Sequence, residues 1–343
     1  MSSLVARNPG RGSEERVTSA LVSVVVPTCG RVDLLERCLG ALDAQEIPAN
    51  MYEVVVVDDS ADGSSTAVVE RIASGRGARM TVRCVRSGSL SGPAHARNVG
   101  WRAARGGIIA FTDDDCIPSP RWLRGGVCAM VTSGGIAGAY GPISVPLPDE
   151  PTDYERDAAG LERAEFATAN CFYTRRALEE VGGFDERFTS AWREDSDLFY
   201  QLLERGRRLG FAHDALVVHP VRPAGWGVSV KQQRKSMFNA LLYKKHRLLY
   251  RERVQASPPW LYYAIVGALA AALVAAVFAR GWLALVMLGA WALLTTSFCA
   301  RRLRGTSRAR GHVVEMIVTS VLIPPLAVYW RLRGAVRFRV VFF

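Results

Sequence analysis

Apolar residues in the first 112 positions recur with two alternating periods. Four short runs, most of them rich in β-branched residues, predict buried parallel strands at 21–26, 53–57, 80–86 and 108–112. Apolar residues at helical spacing, with polar residues between them, predict helices at 31–45, 65–74 and 94–104. Strands that alternate with helices at this spacing predict an α/β fold with a mostly parallel, doubly wound sheet.

The pattern becomes less regular after Pro118. Glycine-rich strands are expected at 134–145, and a loop rich in Pro, Asp and Glu follows them. Helical periodicity returns at 175–181 and again at 196–205. We therefore expect residues 21–225 to form one large domain.

Two apolar runs near the C-terminus have the length of a lipid bilayer core. Residues 258–279 and 282–300 contain no charged side chain, and only two residues separate them. About 20 apolar residues span a bilayer core, so these runs predict two transmembrane helices joined by a tight turn. A third apolar segment, 313–330, is interrupted by Glu315 and by two prolines. We expect this segment either to span the membrane or to be re-entrant, which completes a membrane region over 258–331.

The distribution of positive charge favours a re-entrant or in-plane third segment. A hairpin that starts and ends in the cytoplasm places Arg301 and Arg302 on the same side as Lys244, as the positive-inside rule requires. A full third span would carry the basic tail, residues 332–343, to the opposite side.

The formal net charge of +11 belongs to the C-terminal third of the chain. From Lys231 to the end there are 18 Lys and Arg residues and two acidic residues, whereas the first 230 residues carry 25 basic and 30 acidic residues. Because this basicity lies beside bilayer-length apolar runs, we expect a membrane protein and no nucleic-acid partner. Residues 226–257 predict an in-plane amphipathic helix that binds anionic lipids, with a solvated helix as the alternative.

Cysteine usage and the N-terminus indicate the compartment. The seven cysteines are scattered without a CxxC pair, which is typical of free thiols in a reducing compartment. Residues 1–20 contain no apolar run of signal-peptide length, and we expect them to be a disordered lead-in. These observations predict a multi-pass protein of the plasma (inner) membrane with residues 21–225 in the cytoplasm.

Carboxylates follow two of the predicted strands. Asp58 and Asp59 follow the second strand, and the run from Asp113 to Asp115 follows the fourth. Doubly wound sheets bind ligands at the carboxyl ends of their strands. Two aspartates spaced as Asp113-x-Asp115 can face one Mn²⁺ or Mg²⁺ ion, since these cations prefer oxygen ligands and bridge to phosphates. An acidic turn that caps the next helix is the alternative.

The loop after the second strand has two interpretations. It is either a turn that caps the next helix or a floor for a nucleotide base and ribose beside Pro27 and Thr28. The segment 91–98 adds a flexible turn, a helix start and Arg97, a cation for the phosphates.

Six sequence strings carry a family resemblance. In chain order, between about Val22 and His219, they are SVVVPTCGR, VVVVDDSADGS, GPAHARNVG, FTDDDCIPS, GGFDERF and WREDSDLFYQLLERG. Together they resemble family 2 glycosyltransferases of the GT-A fold, which is Rossmann-like. The resemblance implies that residues 21–225 transfer a sugar from a nucleotide sugar with inversion at the anomeric carbon, using Mn²⁺ or Mg²⁺.

The resemblance also implies residue roles. Asp195 would be the catalytic base, with Glu194 orienting it or raising its pKa. Asp113 and Asp115 would bind the metal, and His219 is either a further ligand or a core-edge histidine. The residues implied for the donor are Pro27, Thr28, Arg31, Asp58, Asp59, Arg97, Asp113 and Asp114. The alternative for the acidic pair is that it begins the helix 196–205, with Asp197 as its cap.

The sequence leaves several acceptors open. Processive relatives carry a Gln-x-x-Arg-Trp motif, but here Lys235 follows Arg234, which argues against processive synthesis. A carboxylate base favours a hydroxyl acceptor on a lipid-linked or cell-envelope glycan over polyprenyl phosphate, which is already ionised. The other alternative is a catalytically silent nucleotide-sugar-binding membrane subunit.

Overall fold

A computed structural model describes residues 22–75, 79–88 and 92–342. The expected lead-in, residues 1–20, lies outside this part of the chain. The strands of the described residues are β1 (Val22–Thr28), β2 (Tyr52–Asp58), β3 (Thr81–Arg86), β4 (Ile108–Phe111), β5 (Ile117–Pro118), β6 (Gly138–Tyr140), β7 (Ile143–Ser144), β8 (Cys171–Thr174), β9 (Leu209–Phe211) and β10 (Val217–Val218).

The predicted α/β fold with a mostly parallel sheet is confirmed. Seven strands form one sheet in the order β3-β2-β1-β4-β8-β6-β9, in which only β8 runs antiparallel to its neighbours. Thr28 pairs with Asp58 across β1 and β2, and Val25 pairs with Phe111 across β1 and β4. The polar residues that end β1 and β2 and those that follow β4 therefore lie along one edge of the sheet.

A small second sheet, in the order β5-β10-β7, completes that edge. Strand β10 is antiparallel to β5, with Val218 opposite Ile117. This register brings the residue after β10, His219, next to the residues that precede β5. The contact between Asp115 and His219, which are more than 100 positions apart, thus depends on the pairing of two strands of two residues each.

Helices pack on both faces of the large sheet and continue into the C-terminal region. The helices are α1 (Val32–Asp43), α2 (Ser64–Ser74), α3 (Pro93–Ala103), α4 (Trp122–Thr132), α5 (Asp153–Ala158), α6 (Arg175–Val181), α7 (Glu194–Glu204), α8 (Val228–Gln232), α9 (Phe238–Lys245), α10 (Arg247–Arg253), α11 (Trp260–Val277), α12 (Gly281–Arg302) and α13 (Arg310–Phe338), with 3₁₀ turns at 49–51, 159–163 and 233–237.

Alternate residues of the central strand face two different cores. Val24 and Val26 pack in one apolar cluster, while Val25 packs in the other. On the second face, helix α3 lies so close that a Cβ on Gly100 would stand 2.4 Å from the Val25 side chain and 2.8 Å from that of Val57. Glycine at this position lets α3 lie against the sheet, which sets the position of its inward-facing residue, Arg97.

The basic segment differs from the single amphipathic helix expected over 226–257. It forms α8, a 3₁₀ turn, α9 and α10 in succession. Most of its apolar side chains are buried in the protein core instead of facing lipid, among them Phe238, Leu242 and Tyr250. Period alone could not distinguish a lipid-facing stripe from a core-facing one, since both bury the same residues.

Three C-terminal helices, α11, α12 and α13, are long and apolar enough to cross a membrane. The first two match the predicted runs and pack against each other as a hairpin. The third segment, expected either to span the membrane or to be re-entrant, lies within one helix, α13, that continues through Pro324 and Pro325. Its Glu315 carboxylate accepts a hydrogen bond from the Gly227 amide, and its Phe338 carbonyl accepts one from Lys244. Both halves of α13 therefore contact residues that precede α11.

Candidate active site

The end of β2 provides two buried carboxylates. The Asp58 Oδ1 atom accepts a hydrogen bond from the Ser60 amide at 2.9 Å, while its buried Oδ2 has no hydrogen-bond partner among the described residues. Asp59 accepts hydrogen bonds from the Ser87 hydroxyl and from the Gly92 amide. A buried carboxylate oxygen without a partner is suited to a ligand donor such as a base N–H or a ribose hydroxyl.

Asp114 joins the ends of β1 and β4. Its fully buried carboxylate accepts hydrogen bonds from the Thr28 hydroxyl at 2.7 Å and from Arg31, which binds both carboxylate oxygens. Burial raises the pKa of Asp114 to about 6, although Arg31 opposes the shift. Pro27, adjacent to Thr28, lies in β1 opposite Val57. The structure thus brings Thr28, Arg31 and Asp114 together at this edge of the sheet, with Pro27 next to Thr28 in the same strand.

Arg97 connects the acidic run after β4 with the acidic pair on α7. One terminal nitrogen donates to Asp113 at 2.7 Å and the other donates to Glu194 at 2.9 Å. The residue is only 2% exposed, and its guanidinium lies over the Phe184 ring. Asp113 and Glu194 hold the pKa of Arg97 above its usual value against the effect of burial. Its charge therefore acts first on these two carboxylates.

The acidic pair lies in the first turn of α7, which begins at Glu194 and not at Ser196 as expected. The preceding residue, Arg193, has φ of 77°, a left-handed conformation that is strained for a non-glycine residue. Such strain at a helix start is common beside active sites. It orients Glu194 into the protein and leaves Asp195 partly exposed at the sheet edge.

The two carboxylates of the pair have different environments. Burial and the charge of Asp195 raise the pKa of Glu194 to about 7. Asp195 accepts hydrogen bonds from the Ser196 amide and hydroxyl, both through Oδ1. No described residue donates a hydrogen bond to its Oδ2 atom. The expected cap, Asp197, is instead fully buried and bound to Lys245 and His246.

A second group of side chains can hold a divalent cation. The Oδ1 atom of Asp115 is buried without a hydrogen-bond partner and lies 3.5 Å from Nε2 of His219. Cis ligands of one cation stand about 3 Å apart when each metal–ligand bond is about 2.1 Å, so the pair fits a cation. Cys116 is also close, but burial raises the pKa of its thiol well above the usual value. The neutral thiol is a poor ligand for Mn²⁺ or Mg²⁺.

The expected residues are therefore distributed over two neighbouring centres. Asp115 and His219 form the possible metal group, whereas Asp113 binds Arg97. Sequence reasoning missed Arg222, whose guanidinium binds Asp115 at 2.9 Å. Only its place three residues after His219 could have indicated it, because it lies in a loop without any period.

Comparison with known proteins defines the class. The model of glycosyl transferase family 2 matches residues 23–181, and the model of glycosyl transferase family group 2 matches residues 108–300, more than half of the chain. The chain belongs to the family 2 glycosyltransferases.

Several curated relatives share this region. Glycosyltransferase AglE of Haloferax volcanii is 28% identical over 61% of this chain and 69% of its own length. Validoxylamine A glucosyltransferase of Streptomyces hygroscopicus is 27% identical over 62% of this chain and 56% of its own length. Pre-mycofactocin glycosyltransferase of Mycobacterium tuberculosis is 30% identical over 59% of this chain and 43% of its own length. The match thus spans about half the length of the last two.

A solved structure confirms the GT-A fold. The mannosyltransferase PcManGT from Pyrobaculum calidifontis, in complex with GDP-Man and Mn²⁺, is 21% identical to this chain with a TM-score of 0.55. The similarity covers 92% of this chain and 86% of PcManGT. At this identity the similarity concerns the fold.

Proposed function

We propose that this chain is a membrane-anchored, metal-dependent, inverting glycosyltransferase. It moves a sugar from a nucleoside-diphosphate sugar to a hydroxyl of a lipid-linked or cell-envelope glycan. Its membership of family 2 supports glycosyl transfer, and the GDP-Man and Mn²⁺ complex of PcManGT supports this donor class and cation.

The observation that carries the proposal is the double contact of Arg97. Because one guanidinium holds both Asp113 and Glu194, the carboxylates after β4 and the acidic pair on α7 belong to one centre. A silent binding subunit has no need of a partly exposed carboxylate at that point, whereas Asp195 is held through Oδ1 and presents Oδ2.

Each protein group has one role in the transfer. Asp58 and Asp59 bind the nucleoside, and Asp115 and His219 hold the cation. When bound, the cation supplies positive charge to the departing diphosphate. Asp195 takes the proton of the acceptor hydroxyl as that oxygen attacks the anomeric carbon from the face opposite the diphosphate. The Arg97–Glu194 pair keeps the first turn of α7, and therefore Asp195, in place.

The contacts of the C-terminal helices support a proposed membrane arrangement. We assign α11 and α12 as a hairpin through the bilayer, with the catalytic domain on the cytoplasmic side beside Arg301 and Arg302. Helix α13 has 29 residues, about 43 Å at 1.5 Å per residue, and both of its halves contact the residues before α11. It therefore lies along the catalytic domain at the membrane surface, where basic side chains of 226–257 meet anionic lipids.

This arrangement predicts which treatments extract the protein from the membrane. High salt should leave the chain in the membrane fraction, because apolar burial is not screened, and detergent should release it. A cysteine placed at the exposed Leu332 of α13 should react with a membrane-impermeant maleimide from the cytoplasmic side. Extraction by salt would overturn the hairpin, and labelling from the outside would overturn the position of α13.

The proposal is tested by donor turnover. Purified protein in detergent is incubated with Mn²⁺, membrane lipid extract and UDP-, GDP- or dTDP-sugars, and the released nucleoside diphosphate is measured. One donor should be consumed in an acceptor-dependent way, and the product should have the anomeric configuration opposite to the donor by NMR. Retention of configuration would exclude the single displacement. Absence of turnover with every donor would favour the silent subunit.

A further inference from the structure

The carboxylate of Asp115 is shared between the possible metal group and an arginine. Its Oδ1 atom faces His219, while its Oδ2 atom accepts from Nε of Arg222 at 2.9 Å. The Asp115 side chain is 4% exposed, but that of Arg222 is 48% exposed. The carboxylate is therefore fixed in place, whereas the guanidinium at the protein surface can move.

A second cation lies beside Arg222. Lys235 is partly buried in the 3₁₀ turn before α9, and its ammonium has no hydrogen bond or ion pair within the described part of the chain. The loop that carries Arg222 leads into α8, and Lys235 lies in the turn that directly follows this helix. Burial and the charge of Arg222 lower the pKa of Lys235, while Glu194 raises it, which agrees with this placement. Two cations on adjoining segments, one of which has no direct partner among the described residues, are suited to a multivalent anion.

The single negative charge of Asp115 cannot stabilise Arg222 and a divalent cation to the same extent when both are bound to it. A cation bound between Asp115 and His219 repels the guanidinium at this distance. The same cation attracts the diphosphate of the donor, whose oxygens match the planar fork of an arginine. When the metal and the donor bind, repulsion by the cation therefore favours release of Arg222 from Asp115, and the diphosphate oxygens offer it new hydrogen-bond acceptors.

We propose that Arg222 occupies the acidic centre before the donor binds and then, together with Lys235, binds the donor's diphosphate. This inference rests on the proposed function, since it requires a nucleoside-diphosphate donor at Asp115. It assigns to Arg222 two opposite effects: competition with the metal alone and cooperation with the metal–nucleotide complex.

The first arm of the test uses Mn²⁺ alone. Mn²⁺ binding is measured by electron paramagnetic resonance for the full-length protein in detergent, without nucleotide. Arg222→Gln, which keeps the side-chain size without its charge, should bind Mn²⁺ at least about threefold more tightly than wild type because it removes a competing cation. Arg222→Lys should lie between the two. Unchanged or weaker Mn²⁺ binding in Arg222→Gln would overturn the competition.

The second arm uses the nucleoside diphosphate that wild type binds best among UDP, GDP and dTDP, with saturating Mn²⁺. Arg222→Gln and Lys235→Ala should each weaken this binding about tenfold, while binding of the matching uncharged nucleoside stays unchanged. Arg121→Ala removes an exposed arginine that pairs with Glu46, and Lys231→Ala removes an exposed lysine one turn before Lys235. Both controls should bind as wild type does.

The binding results distinguish the proposed function from the proposed role of Arg222 and Lys235. If wild type binds no nucleoside diphosphate, the proposed function fails. If wild type binds one and the variants bind it equally well, only the role of Arg222 and Lys235 fails. Equal loss of nucleoside and nucleoside-diphosphate binding would make the two residues part of the fold instead of diphosphate ligands.

Discussion

Arg97 and Glu194 are 97 residues apart in the chain and form a buried ion pair, with the guanidinium donating to Oε1 at 2.9 Å. Both side chains are 3% exposed, so water does not screen the contact. The pair ties helix α3 to the first turn of α7. The position of Asp195 thereby depends on a residue that is itself buried.

Arg97→Lys tests this dependence. Lysine keeps the charge, but its single ammonium cannot replace a planar group that contacts Asp113 and Glu194 from two nitrogens. We expect kcat to fall at least about tenfold, with a smaller change in donor affinity, because the base loses its position. A single ammonium also leaves one of the two carboxylates without its hydrogen bond, so thermal unfolding in detergent should shift downward as well. Arg102→Lys, on the same helix with a 52% exposed side chain, is the control and should change neither quantity.

Asp115→Asn tests the metal centre. The amide keeps the shape of the carboxylate but loses its charge, so the Mn²⁺ affinity of Asp115→Asn should fall by at least about tenfold. Wild type treated with a chelator should be as inactive as this variant. Adding Mn²⁺ or Mg²⁺ back should restore wild-type activity. Cys116→Ala should keep its Mn²⁺ affinity, since the buried thiol is neutral. Full activity in the presence of chelator would contradict the metal assignment.

His246 gives the fold a pH dependence. Burial lowers the pKa of this imidazole, but the hydrogen bonds that its ring nitrogens donate to Asp197 and Glu204 outweigh burial and raise the pKa above its ordinary value. A raised folded-state pKa stabilises the protonated form, so this contribution is complete below the unfolded pKa of about 6.5 and is lost as the pH rises through the folded value. The unfolding temperature of wild type should therefore fall from pH 6 to pH 9 more than that of His246→Gln. Parallel curves would exclude His246 as the cause.

Two helix glycines differ in their surroundings and provide a matched pair. A Cβ on Gly126 in α4 would lie 2.1–2.6 Å from the Phe172 ring, whereas a Cβ on Gly40 in α1 meets no atom within 4 Å. Gly126→Ala should therefore destabilise the protein by about 1–3 kcal/mol through overpacking. Gly40→Ala should stabilise it by about 0.5–1 kcal/mol, because alanine is the better helix former. Urea or thermal unfolding measures both, and equal shifts would contradict the packing of α4 on the sheet.

The sequence predicted the sheet edge because its signals are local. Each of the strands β1, β2 and β4 is a β-branched or apolar run, and the polar residues that end it follow directly. Parallel strands bring such ends together without further information. Thr28, Asp58 and Asp114 could therefore be assigned to one edge before any coordinates were known.

The remaining contacts could not be predicted because they depend on packing between distant segments. Arg222 reaches Asp115 only through the register of β10 with β5. Asp197 resembled a helix cap by position, but Lys245 and His246 from the basic segment bind it in the core. The positive charge of that segment predicted a contact with lipid. The spacing of its residues did not indicate that Lys245 and His246 would instead bind Asp197 of α7.

The most direct measurement compares Asp195→Asn with wild type in two quantities, the donor dissociation constant and kcat. The account predicts nearly unchanged donor binding and a kcat reduced at least about a hundredfold, because asparagine keeps the hydrogen bonds from Ser196 but cannot accept the acceptor's proton. Wild-type kcat in Asp195→Asn would place the base elsewhere and contradict the central claim. A loss of donor binding without a change in kcat would contradict it equally, since Asp195 would then be a donor ligand.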